Sequence, residues 1–253
     1  MQLIDSHCHL DDDRFDAQRA AVIARASAAG IRRMVIPATT ANRWDKVKQL
    51  CAAHEGLFAA YGLHPWFVEQ HRADHLRELD EWLALEQPVA VGECGLDFFR
   101  SRRDSDWQQQ LFIEQLQLAA NHGLPVIVHS RKANDEVIGL LRKHARHGGV
   151  VHSFAGSQQQ AQQLYDLGFK LGIAATVGFE RARKLRAVVA AMPDDALLLE
   201  SDAPDQPGAL HRGELNEPAY IVEHLRTMAE LRRCDAEDLA VTLNRNAESL
   251  FGI

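Results

Sequence analysis

Short apolar runs alternate with longer stretches of helical periodicity along nearly the whole chain. The runs are Leu3 to Leu10, Met34 to Pro37, Leu57 to Leu63, Val89 to Glu93, Val126 to His129, Val150 to Ser153, Phe169 to Ile173 and Leu197 to Asp202. Most are β-branched or leucine-rich and too short for a helix, so they predict strands, largely buried on both faces. Spacings of three and four predict helices over Asp16–Ala29, Trp44–His54, Leu76–Leu85, Trp107–His122, Asp135–His147, Gln159–Leu167 and Arg181–Ala191. Gly30 ends the first of them as a C-cap glycine would. Two more helices, Glu217–Leu231 and Asp235–Leu250, follow the last strand. Strands separated by helices imply parallel pairing, and eight of them predict an α/β fold, a single-domain (β/α)8 TIM-type barrel over residues 1–253. An open doubly wound sheet is the competitor, but no Gly-x-Gly-x-x-Gly follows the first strand.

Composition changes this picture little. A chain of 253 residues suits one such barrel, and 46% hydrophobic with 25% charged residues is ordinary for a globular protein. No apolar run approaches the roughly 20 residues a membrane span needs, and no basic-then-apolar leader opens the chain, so the default expectation is a cytoplasmic protein. Cys8, Cys51, Cys94 and Cys234 lack paired spacing and read as reduced thiols. The net charge of -7 argues against a broad electrostatic footprint on nucleic acid, so such a substrate would be held locally.

The candidate chemistry lies where the apolar runs stop. In this architecture active sites form at the C-terminal ends of the strands. Polar residues there are His7 and His9 after the first run, His64 after the third, Glu93 after the fourth, His129 after the fifth, His152 after the sixth and Asp202 after the eighth. Residues two apart on a strand face one side, so His7 and His9 point together. A lone histidine or carboxylate at a strand end usually has a local hydrogen-bonding role. Several converging on one mouth are costly to desolvate unless cations bind them. His7, His9, Glu93, His129, His152 and Asp202 are too many for one tetrahedral ion and suit two divalent cations, zinc, magnesium or manganese. The expected split is His7, His9 and Asp202 on one, His129 and His152 on the other, with Glu93 bridging. Water beside such ions is a nucleophile near neutral pH, and Asp202 could also take or relay its proton, which makes Asp202 and Glu93 the catalytic candidates.

The ordered motifs Asp5-Ser6-His7-Cys8-His9-Leu10, Gly62-Leu63-His64-Pro65, Gly92-Glu93-Cys94-Gly95-Leu96-Asp97, Val128-His129-Ser130-Arg131, His152-Ser153-Phe154 and Glu200-Ser201-Asp202-Ala203-Pro204, with Arg212-Gly213 and Asn216-Glu217-Pro218, resemble those of the TatD family of metal-dependent deoxyribonucleases. The resemblance covers nearly the whole chain. It implies an amidohydrolase-type barrel, two divalent metals on the six residues above, and DNA as substrate. His64 is then read as substrate-facing or supporting, Asp97 as orienting a ligand, Arg131 as a phosphate contact, and Arg100, Arg102 and Arg103 as a local basic patch. Asp205 and Glu214 depart from the family pattern: acidic groups near the mouth would repel a polynucleotide. They favour a second reading, hydrolysis of a small phosphoester, amide or lactone. A non-catalytic metal-binding scaffold is the third. No obligate protein partner is inferred, and a monomer is the default.

Overall fold

A computed structural model describes every residue from Met1 to Ile253. Eight parallel strands, β1 (Leu3–Asp5), β2 (Ile31–Pro37), β3 (Leu57–Tyr61), β4 (Ala90–Asp97), β5 (Val126–Arg131), β6 (Gly149–Val151), β7 (Phe169–Ile173) and β8 (Leu197–Leu199), pair in sequence order. The helices are α1 (Arg19–Ala28), α2 (Trp44–Ala53), α3 (Asp74–Glu86), α4 (Ser105–His122), α5 (Asn134–His144), α6 (Gln158–Asp166), α7 (Arg183–Ala191), α8 (Ile221–Arg232) and α9 (Ala236–Phe251). The chain is a TIM-type barrel, as the alternation predicted, and no helix is long and apolar enough to cross a membrane.

The barrel closes without a β8–β1 ladder. Ser6 N–H donates to Leu199 O at 3.0 Å, Asp202 N–H to His7 O at 2.9 Å and His9 N–H to Ala203 O at 2.8 Å. The Asp5 carboxylate accepts from Ser201 N–H at 2.9 Å and His7 N–H at 3.2 Å. The seam is therefore made by the segments that carry His7, His9 and Asp202, which places these three side by side.

Ile4, Val35, Ala60, Ala90, Ile127, Val150 and Leu198, one from each of seven strands, form an inner layer capped by Ala247 and Phe251 of α9. Alternation from this layer sets which residues face the mouth. It carries Ala60 to His64, Ile127 to His129 and Val150 to His152. Counted from Ala90, it would turn Glu93 outward. The β4–β5 register breaks between Val91 and Cys94, and such an irregularity re-aims the following side chains. That break brings Glu93 inward.

Several elements differ in length from expectation. The first and last strands are short because the chain leaves the ladder at Asp5 and at Leu199 to build the seam. β4 runs on to Asp97, since residues 94 to 97 pair with 128 to 131 of β5. Helix α1 starts at Arg19 because Asp13–Phe15 forms a separate 3-10 turn capped by Asp12. All four thiols are free, and Cys8 and Cys94 are packed as small buried groups.

Buried His224 ties α8 to the end of β8, its Nδ1–H donating to Glu200 O at 3.2 Å. Burial pushes its pKa down from 6.5 to about 4. The unfolded chain takes up this proton at higher pH than the folded one, so stability is present above pH 6.5 and falls between pH 6.5 and 4. The loss from this group reaches about 3 kcal/mol. His224→Asn retains a donor without the titration, and denaturant melts should show a flatter stability profile over that window than wild type. Parallel profiles would contradict this.

Candidate metal centre

His7 and His9 converge from the end of β1. Their Nε2 atoms stand 3.2 Å apart, with Glu93 Oε2 at 3.2 Å from His7 and 3.3 Å from His9. Asp202 Oδ1 lies 3.6 and 3.7 Å from the same two nitrogens. The other carboxylate oxygen of Glu93 faces a second set. Oε1 is 2.7 Å from His152 Nε2, 2.9 Å from His129 Nδ1 and 3.0 Å from His64 Nε2. His129 Nδ1 is itself 3.2 Å from both His64 Nε2 and His152 Nε2.

These spacings fit ions. Ligand atoms around a tetrahedral divalent cation with bonds of about 2.0–2.1 Å stand about 3.3 Å apart. Three overlapping groups bring one ligand atom from each residue within 4.8 Å of the others, namely His7, His9 and Asp202; His7, Glu93 and His152; and His64, Glu93 and His129. Glu93 Oε2 is buried with no hydrogen-bond partner. A buried carboxylate oxygen in that condition is costly unless a cation meets it.

The charges in the ring adjust to one another. Burial alone would raise the Glu93 pKa, but the imidazoles of His152, His64 and His7 outweigh it and hold the carboxyl well below its ordinary range. Burial opposes a charged His152, yet the Glu93 carboxylate raises it to about 9. His9 is likewise raised to about 10, where Glu93 and Asp202 overcome desolvation. His64 goes the other way, desolvation taking it down to about 4. The ring thus sets imidazoles of raised and of lowered pKa around one anion; a bound cation would displace the protons of His9 and His152, since only neutral imidazole offers a lone pair to a metal.

The supporting residues hold these groups in place. Asp97 Oδ2 accepts from His129 Nε2 at 2.9 Å, which fixes Nδ1 as the nitrogen facing Glu93. His64, read from sequence as substrate-facing or supporting, lies inside the cluster. Its ring is set by Trp66 N–H donating to Nδ1 at 2.9 Å. Asp202 Oδ2 accepts from Gln206.

Two buried carboxylates were not singled out from the sequence. Glu200 accepts from Ser153 N–H, with its carboxylate 3.8 Å from His152 Nδ1. Burial lifts its pKa to about 8, and that of Asp5 to about 7. Each stands two residues before a candidate ligand, a spacing that flags both. The room for Glu200 comes from Gly172, where a Cβ would fall 2.0 Å from its carboxylate.

The cluster opens into a cavity of about 800 Å³ whose walls include Arg14, Arg43, Trp66, Arg131, Thr176 and Gln206. Of the basic residues expected near the mouth, Arg131 lines this cavity and Arg100 lies against Trp66. Arg102 turns to Glu136 at 2.8 Å, and the exposed Arg103 is not brought into the cavity. Asp205 is not the free acid that its place in the sequence suggested. Arg14 is clamped between Asp12 and Asp205 by side-chain hydrogen bonds of 2.8–2.9 Å. Glu214 has His211 at 3.4 Å.

A family profile described as "TatD related DNase" matches residues 4–252. The uncharacterized metal-dependent hydrolase YjjV of Escherichia coli K12 is 40% identical over 100% of this chain and 98% of its own length. Its crystal structure superposes with a TM-score of 0.95 over 99% of this chain and 98% of that one. A protein named 3'-5' ssDNA/RNA exonuclease TatD, from Cronobacter sakazakii, is 34% identical over 98% of this chain and 97% of its own. At 21% identity, a TatD family hydrolase from Entamoeba histolytica shares the fold with a TM-score of 0.87, covering 99% of this chain and 98% of that one. The barrel, the histidine and carboxylate ring at its mouth and these matches agree: the chain belongs to the TatD family of metal-dependent hydrolases.

Proposed function

We propose that this hydrolase is a two-metal nuclease that cleaves phosphodiester bonds in DNA, at ends or single strands that can enter the barrel mouth. The observation that carries the reading is the division of Glu93, whose two oxygens face separate groups of imidazoles. A carboxylate so placed suits a bridge between two cations. His7, His9 and Asp202 would hold one, and His129, His152 and His64 the other. Bound there, divalent ions supply Lewis-acid polarisation of the phosphate and a lowered pKa for the attacking water.

The chain's own part is orientation and proton handling. Asp97 sets the His129 ring, and Gln206 sets the Asp202 carboxylate. Burial raises the Asp202 pKa above its ordinary value, which makes it a stronger base for the water's proton. The water oxygen bonds to phosphorus, the bond to the leaving sugar oxygen breaks, the water's proton passes to Asp202, and the leaving oxygen takes up a proton from solvent water. The clamp of Arg14 on Asp205 lessens the repulsion that had favoured small substrates, and the Cronobacter relative's name adds weight to nucleic acid.

The test is cleavage of single-stranded DNA with magnesium, manganese or zinc restored, wild type against His129→Ala. Loss of at least about a hundredfold in the variant is expected, since a ligand nitrogen and the Asp97 hydrogen bond go together. Equal cleavage by both would sink the reading.

A further inference from the structure

At one edge of the cavity four side chains form a continuous stack. The Arg100 guanidinium lies 3.6 Å over the Trp66 ring, and the Arg131 guanidinium lies 3.6 Å over the Phe99 ring and 5.7 Å from that of Trp66. Trp66 and Arg131 line the cavity, while Phe99 stands outside it with 53% of its surface exposed. A phenylalanine that open on a loop, beside the mouth of a site, is poorly placed as core. Neither Arg100 nor Arg131 has an ion-pair partner, whereas the neighbouring Arg102 is paired with Glu136. The stack is also tied to the metal centre. Asp97 accepts from His129 through Oδ2 and from Phe99 N–H through Oδ1, both at 2.9 Å, and Phe98 N–H donates to Arg131 O.

Guanidinium groups held flat on rings lose little freedom on binding, and their N–H edges stay free for phosphate oxygens. An exposed aromatic face accepts a base of any sequence, because every base has a π-face. We infer that Trp66, Phe99, Arg100 and Arg131 form a subsite outside the metal centre for the single-stranded nucleotide next to the scissile phosphate, Arg131 and Arg100 taking its phosphate and Phe99 its base. The inference rests on the nuclease reading for its substrate and adds what distinguishes a polynucleotide from an isolated phosphodiester. Selection comes from the second nucleotide.

Two measurements separate this inference from that reading. The first is binding of a fluorescent single-stranded oligodeoxynucleotide in EDTA, where turnover does not interfere. Arg131→Ala and Phe99→Leu should each weaken binding by about tenfold. Arg131→Ala should also reduce the salt dependence by about one phosphate contact, which Phe99→Leu and Arg131→Lys should leave in place. The second is turnover of bis(4-nitrophenyl) phosphate and of the oligonucleotide by the metal-loaded enzymes. The variants' loss on the oligonucleotide should exceed their loss on the small diester at least fivefold. Unaltered oligonucleotide binding in both variants, no binding by wild type, or equal losses on the two substrates would overturn the subsite. A wild-type enzyme that binds the oligonucleotide through these residues but hydrolyses neither substrate would overturn the nuclease reading alone.

Discussion

Glu93→Gln is expected to reduce phosphodiester turnover by at least about a thousandfold while the barrel stays folded. The two carboxylate oxygens face five imidazoles, all within 3.3 Å. Glutamine keeps the shape and one acceptor but replaces the other with an amide that cannot ligate and carries no charge. Both proposed ion positions lose their shared anion at once, so the change should exceed that of removing any one histidine. Circular dichroism and a thermal melt would verify folding, and kcat measured with excess metal would read the effect. A variant within tenfold of wild type would show that Glu93 is not the shared ligand.

Gly95→Ala should be the most damaging small substitution near the centre, lowering stability by about 3 kcal/mol or more and taking activity with it. Gly95 has a φ of +138°, and an added Cβ would fall 2.1 Å from the carbonyl oxygen of His129 and 3.0 Å from its nitrogen. The obstacle is backbone on the adjacent strand, so no side chain can swing aside. Relief requires β4 and β5 to part at His129, the residue that Gly95 pairs with, between Glu93 and Asp97 on the same strand. Urea melts should show a large drop in midpoint with little change in slope. Wild-type stability in this variant would mean that the close approach of the two strands is not required.

Much of this was legible in the sequence because a parallel barrel repeats one simple pattern. Each buried strand is an apolar run, and a polar residue that ends it marks the mouth. His64, His129 and His152 also follow from alternation, counted from Ala60, Ile127 and Val150. Glu93 does not, since the register break between Val91 and Cys94 reverses the alternation there. It was found by its place after an apolar run. The seam could not be foreseen from periodicity either, because side-chain and irregular backbone hydrogen bonds replace a ladder between Ser6 and Leu199. His64 was harder to assign because a histidine before proline at a strand end serves equally well in loop packing. Charge runs were the least informative feature. Arg102 and Asp205 stand in the sequence as free charges near the mouth, yet each has a partner far along the chain, Glu136 and Arg14.

Buried Glu93 is proposed to divide the ring of imidazoles into two cation positions. Elemental analysis of protein purified without chelator, followed by titration with zinc and manganese, tests it most directly. Wild type should bind two equivalents of divalent metal per chain at saturation. Saturation at a single equivalent, or no binding above background, would contradict it.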